Sequence, residues 1–164
     1  MLIKFTIYLL IFVLCLNYTQ TVSALKKTLV SEQELKETGF TEYESINPNL
    51  LIYPLKQLVE KAKLNLFVNK NSKVKYKYTL LDLRFRELVF IINFQKTGFL
   101  EEAVGRYNSY LGDLMINHKG SALDYKDTLS GYINVLKNLQ DRYDNISSYR
   151  LLIQQAIDTT RRLI

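Results

Sequence analysis

Nucleophilic catalysis needs a serine or cysteine beside a base, and a metal site needs several imidazole, thiolate or carboxylate ligands drawn together. The 164-residue chain has one histidine, His118, and one cysteine, Cys15. His118 stands in "NHKG" beside Lys119 and Gly120, the composition of a helix end, and reads as a capping or surface residue. Cys15 follows Leu14 inside an apolar run, whereas an acylated lipoprotein cysteine follows a small residue, so it reads as apolar filler. There is no H-E-x-x-H, no Gly-rich phosphate loop and no acidic cluster with metal-ligand spacing. Glu32, Glu34 and the pair Glu101–Glu102 fall where helices would begin, and read as charges favoured by the helix dipole. The expectation is therefore a protein that is not an enzyme, with no catalytic, cofactor-binding or metal-ligating residue and no cofactor.

Two further groups of side chains carry charge at a defined spacing. Lys70, Lys73, Lys75 and Lys77, interleaved with Tyr76 and Tyr78, have the basic and aromatic character that binds phosphate and stacks bases. The formal charge of +6 is small and diffuse for a nucleic-acid binder, so the patch reads instead as a solvated helix start with its rings buried. Arg84 and Glu87 lie one turn apart in "DLRFREL" and read as a local ion pair worth a few tenths of a kcal/mol.

The elements that would position these residues begin after an N-terminal segment of different character. Lys4 precedes the apolar run "FTIYLLIFVLCL" (5–16), and Val22-Ser23-Ala24 has the small residues of a signal-peptidase site. The run is shorter than the roughly 20 residues a spanning helix needs. Residues 1–24 read as a cleaved secretory signal, with an uncleaved anchor over residues 5–25 as the alternative; either places the rest of the chain outside the cytoplasm, secreted or at the cell surface. Residues 25–47 read as a loosely attached tether. Within them "SEQE" (31–34) has capping-box spacing and Gly39 would end a two-turn helix.

Residues 48–164 read as an all-α domain, an antiparallel bundle of about four to five helices. Leu55, Leu58, Val59, Ala62 and Leu66 form one face of a first helix, taken to be buried. Pro54 suits its first position, with Tyr53 extended before it and Leu55 opening the buried face. On that expectation Leu55→Ala costs about 2–4 kcal/mol, Pro54→Ala under about 1, and Tyr53→Ala falls between. Ser72 would cap a second, central helix with the seam Val74, Tyr78, Leu81, Phe85, Leu88 and Ile92. A second stripe (Tyr76, Leu80, Leu83, Phe90, Phe94) suggests contact from two sides, and Gly98 would close the helix. "KVKYKYT" (73–79) alternates like a strand, but the longer helical pattern through it prevails. Leu100, Val104, Tyr107, Leu111 and Leu114 line a third helix. Tyr125, Leu129, Tyr132, Ile133, Leu136, Leu139 and Tyr143 line a fourth. "DNISS" (144–148) caps a fifth, with Leu152, Ile153, Ala156, Ile157 and Leu163 inward.

"NPNLLIYPLKQLVEKAKL" (47–64) resembles the opening motif of the bacterial domain family of unknown function DUF5667, through Tyr53, Pro54, Leu55, Lys56 and Glu60. The family's R-x-x-E pair matches Arg84 and Glu87, and a later tyrosine matches Tyr107. The likeness covers roughly residues 47–115. Leu50-Leu51-Ile52 stands where members more often have a small residue or proline, and Tyr132 stands where many have a histidine. The resemblance implies an exported or membrane-tethered helical protein, in some cases beside sigma-factor regulation, and no catalytic residues. The reading is an exported, non-enzymatic interaction or structural module of the bacterial cell envelope. The alternative is an extracytoplasmic sensing or regulatory domain that binds a ligand within its bundle. The partner expected is an envelope protein or a cell-surface polymer, with no nucleic acid, and with membrane contact only through an uncleaved N-terminal segment.

Overall fold

Large apolar side chains three and four residues apart build the long helices seen in the computed structural model, which describes residues 29–117 and 125–164. Six α-helices follow in order: α1 (Glu32–Glu37), α2 (Tyr53–Leu66), α3 (Lys70–Asn93), α4 (Leu100–Asn117), α5 (Lys126–Gln140) and α6 (Ser148–Leu163). A 3₁₀ turn, Thr97–Phe99, leads into α4. The fold is an all-α helical bundle. The signal segment, Cys15 and His118 lie outside the described residues.

Four helices make the bundle proper. α3 packs on α4 and on α5, and α6 packs on the same two, which places α3 and α6 across the core from each other. The expected seam of α3 is buried throughout, as are Leu100, Val104, Tyr107, Leu111 and Leu114 of α4. α5 and α6 contribute Leu129, Leu136, Leu139, Ile153, Ala156 and Ile157 to one continuous core. Each buried leucine or isoleucine of this set stabilises the fold by about 1.5–3 kcal/mol relative to exposure. Aromatic rings fix the register between α3 and α5: Phe85 stacks on Tyr132 and Tyr78 on Tyr125, each pair with centroids 3.7 Å apart. Between α4 and α6 the buried hydroxyls of Tyr107 and Thr160 share a hydrogen bond of 2.8 Å.

The segment before α2 is part of this core, which corrects the expectation of a loose tether for the described residues 29–47. Val30, Leu35 and Phe40 are buried in it, and Tyr43 packs against it. Asn93, at the end of α3, holds the segment in place. Its side-chain amide accepts from the Val30 N–H and donates to the Val30 carbonyl, both at 3.0 Å. It also donates to the Tyr43 hydroxyl at 2.6 Å and accepts from the buried Arg142.

The caps follow local chemistry. Ser31 accepts from the Glu34 N–H, as the capping-box spacing suggested. α1 ends where Gly39 takes a φ of 96°: the Gly39 N–H reaches Lys36 O and the Phe40 N–H reaches Leu35 O, the paired bonds of a Schellman end. The same two bonds end α3, but at Gln95 (φ 54°) rather than at Gly98, through Gln95 N–H to Ile92 O and Lys96 N–H to Ile91 O. Asn69, not Ser72, caps the start of α3, its side chain accepting from the Asn71 N–H. Ser147 caps α6, within the stretch expected to do so.

Candidate functional site

α2 sits on the bundle the opposite way round from its apolar pattern. Leu55 and Leu58, expected to be buried, are 63% and 64% exposed; Val59, Ala62 and Leu66 are exposed with them. The buried residues of α2 are Tyr53 and Glu60, with Lys56, Gln57 and Leu64 partly covered beside them. α2 also begins at Tyr53, so Pro54 is its second residue and Tyr53 belongs to the first turn instead of preceding the helix.

The reason lies on α3. Arg84 and Glu87 are not a surface pair: they are 3% and 1% exposed and form the centre of a buried ionic network. Arg84 Nη1 donates to Glu87 Oε1 at 2.5 Å and to the Tyr53 hydroxyl at 3.3 Å, while Nη2 is paired with Glu60. The Tyr53 hydroxyl donates to Glu87 Oε2 at 2.7 Å. Lys56 Nζ reaches Glu87 at 2.8 Å, Glu44 at 3.2 Å and Glu60 at 3.9 Å, and donates to the Ile46 carbonyl at 3.0 Å. Above and below, the Arg106 guanidinium lies 5.0 Å from the centre of the Tyr53 ring, and that of Arg84 lies 5.4 Å from Tyr110.

Charge in this site is strongly coupled. Burial, followed by the negative charge and hydrogen bond of Glu87, pushes the Tyr53 phenol well above its ordinary value of 10.0. Burial alone would lower the pKa of Arg84, but Glu87, Tyr53 and Glu60 outweigh it and hold the guanidinium above its usual range. Through neutral pH the Arg84 guanidinium therefore stays charged and the Tyr53 phenol stays protonated. Turning α2 over would bury Leu55, Leu58 and Val59, a gain of about 1.5–3 kcal/mol each. It would also seal Arg84 and Glu87 against leucine without their α2 partners, at several kcal/mol per ion. The observed face wins because it gives the buried pair of α3 its further partners, Tyr53, Lys56 and Glu60.

Beside the network lies a recess of about 330 Å³ lined by Gln57, Glu60, Lys61, Arg84, Arg106 and Tyr110, with Glu102 at its wall. Arg84 Nε and both Nε and Nη2 of Arg106 are buried without a hydrogen-bond partner, while Arg106 Nη1 is paired with Glu102. Among the described residues no group of His, Cys, Asp and Glu could hold a metal ion, and no helix is long and apolar enough to cross a membrane. The basic and aromatic patch is divided: Tyr78 is buried, Tyr76 is half-buried against Phe67, and Lys77 pairs with Asp113 of α4 at 2.5 Å.

Sequence reasoning found Arg84 and Glu87 but gave them too small a role. Their burial was signalled by the spacing of Leu80, Arg84, Glu87 and Ile91, steps of four, three and four that place two charges inside an apolar seam. All four side chains are buried. Comparison with family models, curated proteins and solved structures yields no match to this chain.

Proposed function

We propose that the chain is an exported, non-enzymatic interaction module of the bacterial cell envelope. The exposed apolar face of α2 carries this reading. Eight of the fifteen exposed large apolar side chains among the described residues fall between Leu50 and Val68, and Leu51 and Val68 are fully exposed. A concentrated patch of this kind on an otherwise well-packed bundle is a docking surface rather than ordinary scatter. The likeness of residues 47–64 to the opening of DUF5667 domains and the signal-like N-terminus support an envelope location. A photoreactive amino acid at position 58, in cells exporting the protein, tests the reading. Adducts are expected at 58 and not at 151, an equally exposed leucine on α6; adducts at neither position, or equally at both, would contradict it.

A second reading has its own support. The recess is lined by the guanidinium side chains of Arg84 and Arg106, so a sensing domain would take a small carboxylate or phosphate there. Isothermal titration with such anions tests it: heat from the protein that disappears with Arg106→Gln supports the sensing reading, and the absence of heat rejects it.

A further inference from the structure

The apolar face of α2 does not stand alone, and what surrounds it names its partner. From Pro48 to Leu81 the chain carries seven lysines (56, 61, 63, 70, 73, 75, 77) and one acidic residue, Glu60. Glu60 is turned inward and ion-paired with Arg84, so no carboxylate of this stretch is presented to solvent. Lys61, Lys63, Lys70 and Lys75 are exposed.

The arrangement around the helix is equally one-sided. At about 100° per residue, Leu55, Leu58, Val59, Ala62 and Leu66 fall within one stripe about 100° wide. Lys61 falls on one flank of that stripe and Lys63 on the other, each about 90–110° from its middle, while Tyr53 and Glu60 lie opposite. Lys63 is held in its place, its ammonium 4.9 Å from the centre of the Tyr76 ring. Past Leu66, the last residue of α2, Val68 extends the apolar surface toward Lys70 at the start of α3.

We propose that this face docks on an anionic lipid bilayer, lying in its interface with the leucine stripe among the acyl chains and the lysines at the headgroups. An apolar stripe flanked by lysine is the pattern of an interfacial helix, whose binding combines buried apolar area with attraction to anionic lipid. A second copy of the chain fits poorly, because a two-fold pairing of the face would set lysine against lysine with no exposed acid of the stretch to answer it. α2 is not long and apolar enough to span, so it lies on the surface. The ionic network makes the docking rigid: it fixes the polar side of α2 to the bundle, so no helix has to form or turn on arrival. This inference rests on the interaction-module reading and identifies the partner of that surface.

The test uses the full chain with serine in place of Cys15 and one new thiol, Leu58→Cys or Leu151→Cys, carrying an environment-sensitive fluorophore. Phosphatidylcholine vesicles with and without phosphatidylglycerol are the probes. Whatever residues 1–28 contribute is common to both proteins. The label at 58 should brighten and shift to the blue on anionic vesicles only, and the label at 151 should not respond. The double variant Lys61→Glu/Lys63→Glu, with its thermal unfolding measured beside the parent's because Lys63 packs on the Tyr76 ring, should lower the partition coefficient by at least about tenfold. No response at 58, or an equal response to neutral vesicles, overturns the proposal. If vesicles fail while photo-adducts form at 58 with a protein, the lipid partner is wrong and the interaction module stands; if both fail, both readings fall.

Discussion

Arg84 is the residue on which the attachment of α2 depends, because it pairs with Glu60 of α2 and Glu87 of its own helix at once. Replacing one member of a buried ionic cluster leaves its partners charged and desolvated, at about 3–5 kcal/mol. Arg84→Met should cost that much in a urea titration, although methionine is a good helix former of similar length. Arg161→Ala, at a pair of which both members are about half exposed, should cost under about 1 kcal/mol. A cost below 1 kcal/mol for Arg84→Met would mean that the network does not hold the helix. The buried tyrosines set the alkaline limit. Burial raises the phenols of Tyr53, Tyr107 and Tyr132 above 10.0, with Glu87 and Asp82 adding to the first and last. Above about pH 10 the unfolded chain therefore loses protons that the folded chain keeps, and stability falls as pH rises. The loss should reach about 1.4 kcal/mol per pH unit for each of these tyrosines, and denaturation midpoints between pH 8 and 11 will show it. A flat profile to pH 11 would contradict the buried, neutral phenols.

At the scale of elements, the apolar seams of α3 to α6 were legible because each runs for several turns and meets another seam. The orientation of α2 was not legible. A hydrophobic stripe says which face of a helix is apolar, not whether a neighbour covers it, and here the neighbour presents Arg84 and Glu87. Tyr53, Lys56 and Glu60 complement those two charges, but the pairing crosses from one helix to another and leaves no periodicity in the sequence. The mutational order expected from the stripe is accordingly reversed. Leu55→Ala should change stability by no more than about 0.5 kcal/mol, since the side chain is exposed. Tyr53→Ala should cost about 3–5 kcal/mol, losing a buried ring and the hydrogen bond to Glu87. Thermal or urea unfolding of the two variants separates the accounts: a Leu55→Ala loss larger than that of Tyr53→Ala would restore the buried stripe. The chain ends of the helices show a smaller effect of the same kind. Gly39 was readable as a terminator, whereas Gln95 takes the same left-handed position at the end of α3 and no glycine announces it.

For the whole molecule, the consequence is that the fold begins earlier than its helical pattern suggests. Residues 29–47 carry too few apolar side chains to show a period, but Val30, Leu35 and Phe40 are each inserted fully, and Asn93 holds the backbone at Val30. Leu35→Ala should therefore destabilise the domain by about 2–5 kcal/mol in urea, a loss that a tether would not show. Among the described residues the bundle then concentrates its exposed apolar side chains on the lysine-flanked face of α2, and an interior ionic network orients that face outward. Solvent access to Leu58 tests this central claim most directly. In vesicle-free, monomeric protein with serine in place of Cys15, the rate of thiol modification of Leu58→Cys is compared with that of Leu88→Cys, a core position of α3. The account predicts that Leu58→Cys reacts at the rate of the unfolded chain while Leu88→Cys is slowed by orders of magnitude. Equal protection at the two positions would contradict it, because α2 would then bury the leucines that the ionic network is said to hold outward.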